Sequence, residues 1–299
     1  MHMEDLISVI MSTYNESVSE LRESIESILK QTYSNIEFII VIDNPNNEEL
    51  NAFIYSFDDP RIRVIKNDRN IGLVNSLNKA ICQSKGEYLA RMDADDICEV
   101  NRLKLQKEYL NKNNLDLVGG SVCLIDENGN YISKLHFPCK RYLIEYFLKW
   151  GNCIPHPTWL VRKEVYTKLN GYRDVPRCED YDFVCRSVQN HFKLGNVNDF
   201  ILKYRIRSDS VSNSNKVEQY ILRRFISKNR KTGVTEQGIQ DYLNSDLYYH
   251  EIAEYEKFQK IKKRVKTSPN IVDFVKLCGN VNTYYLGIEK VCLKIRNLV

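Results

Sequence analysis

No run in this 299-residue chain reaches the roughly 18 consecutive apolar residues of a membrane span. Nor does the opening segment MHMEDLISVIMSTYNES carry the basic n-region and long apolar stretch of a secretory signal. A cytoplasmic location is the resulting expectation, with room for contact at the inner face of the cell membrane. The nine cysteines are odd in number and none forms a C-x-x-C pair, which speaks for a reduced chain without structural zinc. Low-complexity tracts and internal repeats are missing too. With 43% hydrophobic and 27% charged residues, the composition is that of a globular protein, not a disordered one. Its length allows one large domain with a substantial appendage.

What is present is unevenly distributed. Residues Lys216 to Val299 hold 16 Lys or Arg against 9 Asp or Glu, so the formal charge of +4 comes from the tail and the rest is slightly acidic. In the first 125 residues short β-branched runs alternate with helical periodicity. Strands are expected at Ile7–Met11, Phe38–Ile42, Ile62–Ile65 and Tyr88–Met92. Helices are expected at Val18–Gln31, Glu48–Tyr55, Leu73–Gln83 (closed by Gly86) and about Asn101–Asn113. This order predicts an α/β fold: a mostly parallel sheet with helices on both faces. Further strands are expected at Leu117–Ile125 and Thr158–Val161, and from Val217 the pattern is helical and basic. The division expected is 1–214 as one domain, in halves 1–98 and 99–214, and 215–299 a basic helical region.

In an open parallel sheet the ligand crevice lies beyond the carboxyl ends of the strands. Three strand ends deliver polar groups there: Ser12-Thr13-Tyr14-Asn15, Asp43-Asn44 and Asp93-Ala94-Asp95-Asp96. Clustered carboxylates near low-dielectric walls repel one another unless a cation compensates them. A hard divalent ion, Mg2+ or Mn2+, sharing its shell with substrate phosphates is the natural compensator. A single aspartate here would read as a helix cap, and Asp43 alone as turn chemistry. Three carboxylates after one buried strand carry more weight.

SVIMSTYN, VIDN, N-x-G-L at Asn70 to Leu73, LNKAI and KGEYLARMDADD, in that order, resemble the inverting nucleotide-sugar glycosyltransferases of family 2, which have the A-type glycosyltransferase fold. The likeness runs from about residue 6 to residue 212. It implies a UDP-sugar donor, with Ser12, Thr13 and Tyr14 lining the nucleotide pocket and Asp43 accepting from the uracil ring. Asn70 and Gly72 fall in the donor motif, Asp93 near ribose and metal, Asp95 on the metal, and Arg91 and Asp96 in support.

Direct displacement by an alcohol calls for a carboxylate that takes the hydroxyl proton. The stretch CEDYDF resembles the family's acidic signature, which implies Asp180 as base and Glu179 as second candidate or acceptor orienter. The plain alternative is an acidic helix start. His156, in the segment Ile154 to Arg162, is a candidate acceptor or phosphate contact by the same resemblance, whereas Trp159 reads as core. Lys203 to Ser212 resembles a closing segment in which many relatives carry histidine where Arg207 stands. Arginine cannot bind a metal, but Arg205 and Arg207 can clamp phosphate oxygens.

The basic runs Lys257–Lys266 and Ile288–Val299 suit either anionic lipid or packing back on the catalytic domain. The carboxylate-lined crevice argues against nucleic acid. The expected function is therefore metal-dependent transfer from a UDP-sugar to a saccharide acceptor, lipid-linked by family resemblance and the basic tail, in surface polysaccharide synthesis. One rival is a nucleotidyltransferase, although STYNES lacks the glycine and lysine of a phosphate loop. The other is a catalytically silent nucleotide-sugar-binding scaffold.

Overall fold

The computed structural model describes residues 5–207, 216–267, 276–277, 280 and 282–283. Its first half follows the sequence pattern closely: β1 (Ile7–Thr13), α1 (Val18–Leu29), β2 (Ile36–Ile42), α2 (Glu48–Tyr55), β3 (Ile62–Lys66), α3 (Leu73–Gln83) and β4 (Tyr88–Arg91). Alternation within the strands explains why β1 and β2 read as continuous apolar runs. Ile7, Val9, Met11, Phe38, Ile40 and Ile42 point to one core, Ile10, Ile39 and Val41 to the other. The first core is closed by α1 and α2 through Leu21, Ile25, Ile28, Leu50 and Ile54, the second by α3 through Leu77 and Ala80. Each such aliphatic side chain contributes about 1.5–3 kcal/mol when fully buried.

Local chemistry sets the helix ends. Ser17 caps α1 in a reciprocal box with Glu20, a device that contributes about 1 kcal/mol. Gly86 does not close α3; the helix stops at Gln83 with an extended Ser84. Gly86 instead lies against β1, where a Cβ would sit 2.6 Å from the Ser8 amide nitrogen. Close backbone approach is its requirement, not helix termination.

The second half comprises β5 (Ile97–Cys98), α4 (Arg102–Lys112), β6 (Leu117–Ile125), β7 (Tyr131–Leu135), α5 (Arg141–Phe147), a 3-10 turn (His156–Thr158), β8 (Leu160–Arg162), α6 (Lys163–Leu169), α7 (Glu179–Gln189) and β9 (Leu194–Arg205). The strand order is β3-β2-β1-β4-β8-β6-β9-β5, with β7 on β6. Parallel pairing holds across β3-β2-β1-β4 and between β6 and β9, whereas β4–β8, β8–β6, β6–β7 and β5–β9 are antiparallel. The sheet is thus mixed: wholly parallel across β3-β2-β1-β4, but beyond β4 parallel only between β6 and β9, because the short β8 turns back against β4 after a long excursion.

Three helices follow: α8 (Lys216–Asn229), α9 (Glu236–Leu243) and α10 (Asp246–Thr267). They pack back on the sheet domain. Tyr220, Ile221, Leu222, Ile226, Tyr242 and Phe258 join the cluster that contains Trp159, Tyr166 and Phe183. Phe225 stacks on Tyr242 at 3.8 Å and Tyr220 on Tyr255 at 4.3 Å. Along Lys257–Lys266 the apolar Phe258 is buried while Lys257, Lys260, Lys263, Arg264 and Lys266 face outward. The expected boundary near residue 214 and the terminal run Ile288–Val299 lie outside the described residues. Among the described residues no helix is long and apolar enough to cross a membrane.

Candidate active site

Because β2, β1 and β4 are parallel neighbours, their carboxyl ends open at one edge. Thr13 lies opposite Ile42 and Ile10 opposite Arg91, and the Asp43 amide donates to the Thr13 carbonyl at 2.9 Å. Asp43 and Asp93–Asp96 therefore flank the end of β1. There the loop is shaped by Glu16, whose Oε2 accepts from Thr13 Oγ1 at 2.6 Å and from the Tyr14 amide at 2.8 Å. Ser12 is half-buried, Thr13 is buried, and Tyr14 is 44% exposed at the lip.

Asp43 is buried and organises the loop that follows β3. Its Oδ1 accepts from Asn67 Nδ2 and the Ile71 amide, and its Oδ2 from the Gly72 amide, each at 2.9 Å. Asn70 Oδ1 also accepts from Gly72. Gly72 has φ +83° and ψ 161°, a conformation essentially confined to glycine, which is what lets its amide turn towards Asp43.

The acidic turn rests on two buried arginines. Arg91, 1% exposed, donates to the Met92 carbonyl and pairs with Asp93. Arg205 was expected among the phosphate or acceptor contacts, and the structure corrects this. Its side chain is 2% exposed, and its guanidinium donates to the carbonyls of Asp95, Asp126 and Glu127 and to Glu23 Oε2. It is a clamp joining the acidic turn, α1 and the β6–β7 turn, and its own amide donates to Asp96 Oδ1 at 2.8 Å. Arg207 stays at the rim, 3.4 Å from Glu20. It is close enough to Asp95 to oppose that carboxyl's upward shift.

Burial, then the charges of Asp93 and Glu16, push Asp95 up to about 7. Asp96 is also pushed well above the usual carboxylate range, first by burial and then by Asp93 and Asp95, and its Oδ2 is buried without a hydrogen-bond partner.

The second acidic motif opens α7. Asp182 is structural, buried and paired with Arg186 at 2.7 Å. Asp180 accepts from Asn152 Nδ2 and from the Tyr181 amide, both at 2.7 Å. Burial raises its pKa and the Asn152 hydrogen bond opposes the rise. Glu179 is pushed up to about 7, first by burial and then by Asp180. Asp93 raises both Glu179 and Asp180, as it raises Asp95 and Asp96. The strand-end and helix-start motifs thus lie within one another's electrostatic reach, with the Arg91 cation between them acting on Asp96 and Glu179 alike.

His156 spends its Nε2 on Tyr172 Oη at 2.8 Å and packs 4.6 Å from Trp159. Burial, then Arg91, holds it well below the usual histidine range, so it is a neutral part of an aromatic wall. Trp159 is core, 0% exposed, as read from the sequence. Asn152, Glu16 and Asn67 escaped sequence reading. Each lies in a loop without periodicity, and only its partner marks it.

The profile described as glycosyl transferase family 2 matches residues 8–169. The chain belongs to glycosyl transferase family 2. Its relatives include the O-antigen biosynthesis glycosyltransferase WbnJ of Escherichia coli, 34% identical over 231 residues that span 75% of this chain and 90% of the relative. Another, WfgD of Escherichia coli, is described as a UDP-Glc:alpha-D-GlcNAc-diphosphoundecaprenol beta-1,3-glucosyltransferase; it is 29% identical over 218 residues, 73% of this chain and 83% of that one. Two solved structures share the fold. One is Staphylococcus aureus TarS 1-349 in complex with UDP-GlcNAc, with TM-score 0.61, 17% identity and coverage of 96% and 81%. The other is the mannosyltransferase PcManGT of Pyrobaculum calidifontis with GDP-Man and Mn2+, with TM-score 0.60, 14% identity and coverage of 99% and 88%. Family 2 membership makes the protein a glycosyltransferase and removes the nucleotidyltransferase alternative.

Proposed function

We propose that this glycosyltransferase moves a sugar from a UDP-sugar to a hydroxyl of a lipid-linked saccharide, with inversion, in surface polysaccharide synthesis. The observation that carries the reading is Asp93 acting on both acidic motifs: it gives a single cleft one wall for the donor and another for the incoming hydroxyl. The names of WbnJ and WfgD, and the nucleotide sugars held by the two fold relatives, support the reaction class.

On the donor wall, exposed Tyr14 offers a face for the base, beside Ser12 and Thr13. Asp43 Oδ2 accepts one amide and retains a lone pair for a ring N–H. Asn70 and Gly72 keep that carboxylate in place. The residues also fit a divalent cation. Asp93, Asp95 and Asp96 form an all-oxygen set whose mutual repulsion is only partly met by Arg91, and Asp96 Oδ2 is orphaned. Among the described residues no three His, Cys, Asp or Glu side chains are grouped so as to hold a metal ion by themselves, so substrate phosphate oxygens would have to complete its shell. Asp95, with Asp93, would hold Mn2+ or Mg2+. When bound, the ion neutralises charge on the departing nucleoside diphosphate.

On the acceptor wall Asp180 takes the hydroxyl proton. Anchoring by Asn152 and by an amide of its own helix start fixes its carboxylate before substrate arrives, which is how general bases gain efficiency. Glu179, titrating near neutrality beside it, orients the acceptor. Arg207 reaches towards the phosphates.

The test compares Asp180→Asn with Asp95→Asn. Asp180→Asn is expected to lose transfer by roughly 10²–10⁴-fold while UDP with manganese still raises its melting temperature. Asp95→Asn is expected to lose that stabilisation. Wild-type transfer rates in Asp180→Asn, or a product of retained anomeric configuration, would sink the reading.

A further inference from the structure

A residue that carries a Cβ seldom adopts positive φ, because the Cβ crowds the following carbonyl oxygen. Arg177 does so, at φ +58°, directly before the Cys178-Glu179-Asp180 stretch that opens α7. No side-chain cap secures that helix start. Contacts from α8 brace it instead. Gln219 Nε2 donates to the Arg177 carbonyl at 2.9 Å, Cys178 Sγ donates to the Gln219 carbonyl at 3.6 Å, and Glu218 pairs with the Arg177 guanidinium at 3.2 Å. At the far end Gln189 Nε2, on the last residue of α7, donates to the Arg230 carbonyl just past α8 at 2.7 Å. The two helices therefore lie side by side and run in the same direction.

The same helix reaches the other support of Asp180. Asn152, whose Nδ2 donates to Asp180 Oδ2 at 2.7 Å, lies in the loop that follows α5. Ser227 Oγ donates to the Lys149 carbonyl in that loop at 2.7 Å, and a Cβ on Gly151 would meet the Arg223 side chain at 3.4 Å. Gln219, Arg223 and Ser227 are four residues apart, so they share one face of α8. That face holds the backbone on both sides of Asp180: residue 177 ahead of the carboxylate itself, and residues 149–151 ahead of its hydrogen-bond partner.

We infer that this face of α8 positions the general base, with Gln219 and Ser227 as its positioning residues. Neither touches a reacting atom. Each acts through a backbone carbonyl, Gln219 on the turn that carries Asp180 and Ser227 on the loop that carries Asn152. A carboxylate that must meet a hydroxyl within hydrogen-bond reach loses rate when its frame shifts by roughly 1 Å. The inference rests on Asp180 being the base, as proposed above, and gives the helices beyond the sheet a part in the reaction. The family match ends at residue 169 and covers none of α8.

Two readouts on the full chain test it. One is kcat and donor KM for the sugar transfer that the wild type performs. The other is hydrogen exchange at the Asp182 amide, which bonds the Cys178 carbonyl in the first turn of α7. Gln219→Glu keeps the shape and removes the donor. It is expected to cost about tenfold in kcat with donor KM unchanged, and to speed exchange at Asp182 about tenfold while exchange at Gly72 stays as in the wild type. Ser227→Ala is expected to cost about threefold in kcat, and Ser227→Thr, which keeps the hydroxyl, to restore it. In an Asn152→Ala background Ser227→Ala is expected to add nothing, because the loop then has no grip on Asp180 to lose. Ser227→Ala also covers the case in which Gln219→Glu fails to fold. Unchanged kcat in both variants overturns the inference, as does unchanged exchange at Asp182 or a Ser227→Ala loss that persists in full beside Asn152→Ala. A donor KM that rises as much as kcat falls overturns it too, since that would be general loosening. Wild-type transfer in Asp180→Asn would instead sink the base assignment and leave the exchange result standing.

Discussion

The two walls of the cleft hold their carboxylates by different means. At the strand ends, Asp93 is paired with buried Arg91, Asp96 takes the Arg205 amide, and Asp43 is wrapped by the Ile71 and Gly72 amides. At the start of α7, Asp180 has a neutral Asn152 and one amide, and Glu179 titrates near 7. Arg91 and backbone amides fix Asp93 and Asp43 in place, while Asp95 in the same turn is pushed up to about 7. Neutral donors at a helix start keep a carboxyl free to gain and lose a proton. On the proposed reading, the first wall binds the donor and the second takes the acceptor's proton.

The sharpest way to break this contrast is to remove the clamp from the first wall. Arg205→Met leaves the half-exposed Glu23 without this partner and strips three carbonyls of theirs, and losing donors to such acceptors costs about 1–3 kcal/mol. Urea unfolding should show a fall of that size. An unchanged midpoint would mean that the acidic turn is held without Arg205.

The second wall should respond in the opposite sense. Glu179 has its folded pKa raised from the ordinary 4.5 to about 7, so the folded state binds its proton more tightly than the unfolded chain. Stability is therefore lost as pH rises from about 4.5 through about 7. Glu179→Gln should be more stable than the wild type at pH 8, by on the order of 1–3 kcal/mol, with the advantage gone at pH 4. Thermal unfolding at the two pH values checks it; equal shifts at both would show that Glu179 is not so perturbed.

A smaller effect tests the positioning of the base. The Asn152 hydrogen bond lowers the Asp180 pKa, so Asn152→Ala should move the acidic limb of kcat/KM to higher pH and cost about tenfold in kcat. Asn152→Asp, which places a like charge beside the base, should move it further. A lower rate with an unmoved profile would make Asn152 merely structural.

Parallel β1, β2 and β4, the bounds of α2 and α3, and the strand-end aspartates were legible because local patterning decides them. A strand buried on both faces must be apolar throughout, and a carboxylate at its end must meet the crevice. The second half was far less legible. Two-residue β5 has no period to read, β9 carries Asn196, Asn198 and Asp199 in its middle, and β8 is antiparallel only because of where β4 and β6 already stand. Side-chain commitments were harder still. Arg205 looked like a phosphate ligand until four partners from three separate segments closed around it, and Asn152 gained meaning only beside Asp180. Periodicity is a property of neighbouring residues and survives in one dimension. A hydrogen-bond partner dozens of residues away is chosen by packing, and packing exists only in three.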